Sequence, residues 1–162
     1  MPEKNLEALF RHHLKDMYFA EQEIAKGMPA LVQAAESDEL RSAFETHARE
    51  TQGQIERLEQ IFDSLGEKPQ GTPCEGIVGI LREGQKVLGT FADGEAFEAA
   101  LIAAAQAIEH YEIARYGTLR AWAEQLGYED AAELLEESLA EETDTDEILT
   151  EIADAAVNEE AI

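Results

Sequence analysis

Apolar residues recur at alternating steps of three and four along almost the whole chain, and no other feature limits the fold so strongly. One stripe runs Phe10, Leu14, Met17, Ile24, Met28, Leu31, Ala35, with Glu21 filling the step between Met17 and Ile24. A second runs Leu40, Phe44, His47, Thr51, Gln54, Leu58, Ile61, Leu65. The third is Ile102, Ala105, Glu109, Glu112, Tyr116, Leu119, Ala123, Leu126, and the fourth Leu135, Leu139, Glu142, Asp146, Leu149, Ile152. Side chains at this spacing share one face of an α-helix. Alternation of period two is nearly absent, so the chain reads as all-α.

Turn signals divide the stripes. Ser37 is placed to cap the second helix, with Asp38 and Glu39 in its first turn, and Gly66 followed by Pro69 ends it. Asp93 is the expected cap of the third helix, and Gly127 closes it. Gly27 and Pro29 predict a kink in the first helix, because proline removes a hydrogen bond and clashes with the preceding turn. Gly53 and Gly117 each lower helix stability by about 1 kcal/mol relative to alanine, which suggests close helix approach. Residues 66–92 are glycine-rich; a short amphipathic helix through Ile77, Ile80, Leu81, Val87 and Leu88 fits within them. That span is too long for a tight turn and can carry the chain from one end of a bundle to the other. The expected architecture is one domain, residues 1–162. A helix hairpin at 5–65, a crossover at 66–92 and a second hairpin at 93–157 make a ferritin-like four-helix bundle with a long crossover carrying a short extra helix.

Composition narrows the partners. Thirty-six acidic residues against twelve basic ones give a formal charge of −24, which repels nucleic acid and anionic membranes and attracts cations. One cysteine, Cys74, rules out an internal disulfide and a cysteine-rich zinc site. The first residues lack a basic-plus-apolar signal region and no apolar run approaches spanning length, so a soluble cytoplasmic protein is expected.

The acids that interrupt the stripes share one height. Glu21 lies sixteen residues before Ser37, and its level partner falls near position 53, bracketed by Glu50 and Gln54, with His47 one turn nearer the turn. Glu112 lies fifteen residues before Gly127 and Glu142 fifteen after it; Glu109 is level with the neighbour of Asp146. Both sets sit about 23 Å from their turns at the helical rise. Packing the hairpins together therefore gathers Glu21, Glu50, Glu109, Glu112, Glu142 and Asp146 around one point, with His47 beside them. Buried carboxylates require protons, cations or metal. Basic residues are scarce on these stripes, and oxygen donors with an imidazole suit two divalent ions, iron first, with manganese or zinc as alternatives. Some positions stay open. Glu50 competes with Thr51 for the inward place, Glu141 with Glu142, and Asp144 with Asp146. His110 points away from the Glu109–Glu112 line, His12 and His13 read as surface residues, and Tyr116 is either a core aromatic or a donor to a ligand.

Four fragments, "LKDMYFAEQEI" (14–24), "HARETQGQIERLEQIFDSLG" (47–66), "AIEHYEIARYGTLRAWAEQLG" (107–127) and "LLEESLAEETDTDEILTEIA" (134–153), resemble the ferritin-like stress proteins of the YciE/YciF type. The resemblance covers almost the whole chain. It implies a bundle related to rubrerythrin and other diiron carboxylate proteins, commonly a homodimer, associated with stress. The family's acidic and histidine positions match Glu21, His47, Glu50, Glu109, Glu112, Glu142 and Asp146. Diiron sites usually take a Glu-x-x-His pair from each of two helices. Here the second helix reads His47-x-x-Glu50, in reverse order, and the fourth stripe has no histidine. The function classes that follow are a ferroxidase or peroxide-reducing protein, a metal-binding protein without turnover, and a structural bundle acting through a partner.

Overall fold

The structure, a computed structural model, describes residues 4–162. Helix α1 (Leu6–Ala34) and helix α2 (Asp38–Ser64) form one antiparallel hairpin; α4 (Phe97–Leu126) and α5 (Glu129–Ile152) form the other. The hairpins pack with α1 on α4 and α2 on α5, so each helix has two neighbours in a closed ring. Helix α3 (Glu75–Phe91) belongs to the crossover and lies outside the ring against α4. At seventeen residues it is longer than the short helix expected, but among its described residues only Ile77 is fully buried. The chain ends in a π-helical turn at Ala153–Val157 and a last turn, α6 (Asn158–Glu160). Among the described residues no strand occurs, and no helix is long and apolar enough to cross a membrane.

Local chemistry explains the boundaries. The Asn5 side chain accepts from the Ala8 amide at 2.9 Å, and Ser37 Oγ accepts from the Leu40 amide at 3.4 Å. The tight α1–α2 turn is held from the second hairpin: Glu98 Oε1 accepts from the Glu36 and Ser37 amides at 2.8 and 2.6 Å. Gly66 and Gly127 take positive φ, 70° and 77°, the left-handed conformation that closes α2 and α4 at little steric cost. Helix α1 continues through Pro29 without a break, and Pro29 lies on its exposed face.

Two expectations are corrected. Asp93 does not cap α4. It stands at φ 60°, followed by tight turns through Gly94, and α4 starts at Phe97 after Ala96. Gly53 and Gly117 do not mark close helix contacts either, since a Cβ would meet only Arg57 Nη2 at 4.0 Å and Leu139 Cδ2 at 3.9 Å. The close approach is at Gly71 in the crossover, where a Cβ would stand 3.0 Å from Phe19 Cα.

The core has two apolar layers. One, nearer the Ser37 turn, contains Ile24, Met28, Leu40, Phe44, Leu101, Ile102 and Leu149. The other, nearer Gly66 and Gly127, contains Phe10, Leu14, Met17, Leu58, Phe62, Leu119 and Leu135. Each such fully buried side chain contributes about 1.5–3 kcal/mol relative to exposure. Between the layers lies a polar one, made of Glu21, His47, Thr51, Gln54, Glu109, Glu112 and Glu142, all buried.

Candidate metal centre

The polar layer draws one residue or more from each bundle helix: Glu21 from α1, His47 and Gln54 from α2, Glu109 and Glu112 from α4, and Glu142 from α5. Each occupies a stripe position where its helix would otherwise place an apolar side chain. The apolar residues above and below force it inward, whatever its own preference for water. Among the described buried residues none is lysine or arginine.

Four of these residues converge. His47, Glu109, Glu112 and Glu142 each offer one donor atom, and the four atoms lie within 4.8 Å of one another. His47 Nε2 stands 3.0 Å from Glu109 Oε1, off the line that a hydrogen bond requires. Both oxygens of Glu112 and of Glu142, Glu109 Oε2 and Glu21 Oε2 are buried with no hydrogen-bond partner. The other Glu21 oxygen accepts from the Tyr116 hydroxyl. Tyr116, one turn beyond Glu112 on α4, is itself completely buried and satisfied by this bond.

The electrostatics follow from burial without counter-charge. Desolvation, then repulsion from Glu142, Glu21 and Glu109, raises Glu112 well above the usual carboxylate range. Glu142 is likewise well raised, first by burial. Burial pushes Glu21 up to about 8 and Glu109 to about 7. The His47 imidazole is pushed down to about 4 by burial, so at neutral pH it carries a free lone pair. A proton shared between carboxyls pairs Glu21 with Glu112 and Glu109 with Glu142, and a cation would satisfy the oxygens of the layer together. The residues fit a metal: hard oxygen donors with one imidazole are the set preferred by iron, manganese and similar divalent ions.

Three expected members sit differently from the rest. Glu50 is half-buried at the edge, its Oε2 accepting from Thr145 Oγ1 at 3.2 Å and standing 4.0 Å from His47 Nδ1. Asp146 contacts His110 Nε2 at 3.1 Å through Oδ2, while its Oδ1 is buried and unpartnered. Neither belongs to the four-residue cluster; they flank it on the solvent side. Glu21 faces the same layer through an unpartnered oxygen but lies outside that set. Of the competing positions, Glu142 is inward, Glu141 turns to Arg57, and Asp144 is exposed. His12 is exposed, but His13 is partly covered, 5.6 Å from the Trp122 ring and near Arg115. Gln54, which the sequence places at this height without counting it among the expected ligands, is buried in the same layer. Its place on the α2 stripe, between Thr51 and Leu58, was the available signal.

The family description DUF892, a domain of unknown function, matches residues 5–162. The chain belongs to the DUF892 family. It is 44% identical over 159 residues to Protein YciF of Escherichia coli K12, covering 98% of this chain and 96% of that protein. The crystal structure of the E. coli stress protein YciF superposes with a TM-score of 0.90, at 44% identity over 96% of this chain and 99% of that one. The solved YcfI protein from Rhodopseudomonas palustris gives 0.88 at 45% identity, covering 91% and 94% of the two chains. This is the family that the four sequence fragments resemble, and the ferritin-like bundle is its architecture here.

Proposed function

We propose that this protein is a stress-associated, ferritin-like metal protein holding a dinuclear divalent centre, iron in the cell, inside its helix bundle. One observation carries the reading: a histidine and three glutamates from three helices converge in a buried layer where most carboxylate oxygens have no partner. Glu109, Glu112, Glu142 and Glu21 supply more oxygens than one ion requires, which favours a pair. His47, neutral at physiological pH, supplies the nitrogen donor. Tyr116 holds one Glu21 oxygen and so orients the other, and the apolar layers above and below exclude water.

Bound iron supplies redox chemistry toward dioxygen or peroxide, so ferroxidase or peroxide-reducing activity is the reaction class proposed. Metal holding without turnover is the second reading, favoured by the single histidine in a carboxylate-rich donor set. Anaerobic Fe(II) titration followed by oxygen separates them. A stoichiometry near two with a ferric absorbance supports the first, and binding without oxidation supports the second. If Fe(II) does not bind, both fail.

A further inference from the structure

A divalent ion has to reach the polar layer, and the fold leaves few ways in. Along the bundle axis the two apolar layers close both directions, and a charge crossing them would lose its water without gaining a partner. Entry is therefore sideways, between neighbouring helices at the height of the layer.

Between α2 and α5 the surface carries a groove of about 540 Å³. Glu39, Ser42 and Glu50 line it from α2, and Asp144, Thr145 and Ile148 from α5. Asp38 also borders it but is paired with Arg41 at 2.7 Å. Among the described residues no lysine or arginine lines the groove, and none forms an ion pair with Glu39, Asp144 or Glu50. Arg49, next to Glu50 in the chain, is turned to Thr46 Oγ1 at 3.0 Å.

Glu50 joins this groove to the centre. Its Oε2 accepts from Thr145 Oγ1 at 3.2 Å and stands 4.0 Å from His47 Nδ1. His47 is buried, and that nitrogen has no hydrogen-bond partner. Across the same imidazole, Nε2 stands 3.0 Å from Glu109 Oε1. One ring thus separates the inner carboxylate of the groove from the four-residue cluster. Acidity alone marks no route on a chain of charge −24; a buried, unpartnered nitrogen facing Glu50 does.

We propose that the α2–α5 groove is the path by which a divalent cation enters the centre, with Glu50 taking the ion from solvent and passing it to the cluster. The inference rests on the metal centre proposed above. Acidic walls raise the local concentration of cations and the rate at which they arrive. Glu50 suits the transfer because it is half-buried, open to the groove on one side and facing His47 on the other. Its only hydrogen bond comes from a neutral hydroxyl, which a cation can replace, whereas Glu141 is already gripped by Arg57.

Stopped-flow mixing of the full chain with Co(II), and release of bound Co(II) to excess chelator, give the rates of entry and exit. A residue on the route alters both alike and leaves the equilibrium affinity in place, because the same barrier is crossed in each direction. Glu50→Gln is expected to slow entry and exit each by about tenfold. Ser42→Lys, which sets a positive charge in the groove at an exposed position, should slow both in the same way. Glu133→Gln is the control. It removes one charge, as Glu50→Gln does, but from an exposed site of α5 outside the groove, and should leave both rates unchanged. An entry rate unchanged in Glu50→Gln or in Ser42→Lys overturns the route. So does equal slowing in Glu133→Gln, which would leave only the overall charge of the chain at work. Weaker equilibrium binding with exit no slower would make Glu50 a ligand of the resting centre and overturn its assignment to entry. Failure of the unsubstituted protein to bind Co(II) overturns the metal centre itself, and the inference with it.

Discussion

Glu141 and Glu142 are adjacent on α5, and their surroundings could hardly differ more. Glu141 lies at the edge of the bundle, where Arg57 reaches both its oxygens and draws Glu137 and Ser138 into one network. Glu142 lies in the interior, where neither oxygen has a hydrogen-bond partner and the nearest charged groups are other carboxylates. A helix turns by 100° per residue, so one step along the chain carries a carboxylate from a compensated site to an uncompensated one. In the first region a guanidinium of the protein itself reaches the carboxylate. In the second only protons or an added cation can balance the carboxylates, and this contrast is the physical basis for reading the layer as a metal centre.

The largest effect expected from breaking this contrast is on metal affinity. Glu112→Leu should weaken Fe(II) or Co(II) binding by about two orders of magnitude or more, read by titration. The same substitution should stabilise the metal-free protein by about 1–3 kcal/mol in urea unfolding with chelator present, because it removes an unpaired buried acid. Loss of stability in the metal-free state would show that the acids are satisfied without metal.

The next effect is on pH. Glu21 is raised to about 8 and Glu109 to about 7, with Glu112 and Glu142 well above the usual 4.5, so in the metal-free folded state these groups retain protons that the unfolded chain has lost. Stability from this source is fully present below about pH 4.5 and falls as pH rises through the folded values. His47, lowered from 6.5 to about 4, acts in the opposite sense; its contribution is present above 6.5 and lost as pH falls through 4. Between pH 6.5 and 8 only the carboxylates act. Metal-free stability should therefore decline across that window, by up to about 1.4 kcal/mol per pH unit for each proton retained. Saturating metal should flatten the profile. A metal-free profile that rises with pH would contradict the carboxylate shifts.

Smaller effects sharpen the comparison. Tyr116→Phe removes the donor to Glu21 and should destabilise the metal-free protein by about 1–2 kcal/mol, measured by chemical unfolding. Arg57→Met should lower stability by about 1 kcal/mol or less, with a larger loss at low salt than at high salt, since the pair is near the surface. A salt-independent loss would mean that Arg57 matters through packing instead of charge.

The four stripes and their turn signals were legible because burial imposes a period on any helix that faces a core. Glu109, Glu112 and Glu142 stood out on the same ground, as acids at apolar positions one turn apart or level across a hairpin. Asp93 misled because asparagine-like capping chemistry also suits a left-handed turn residue, and choosing between them depends on how the crossover meets α4. Gly53 and Gly117 misled because helix separation depends on the neighbouring helices' side chains, which a single stripe does not contain.

By itself, then, the sequence determined an all-α bundle of two hairpins, the height of its polar layer and the shortage of cations to neutralise it. Only the tertiary structure decided that Glu50 and Asp146 flank the cluster while His47 completes it, and that the Gln54 amide donates to Glu141. Those outcomes depend on rotations of a fraction of a helical turn and on contacts such as Arg57 with Glu141, eighty-four residues apart in the chain. Periodicity resolves a face of a helix. It takes the packing of four helices against each other to resolve an atom.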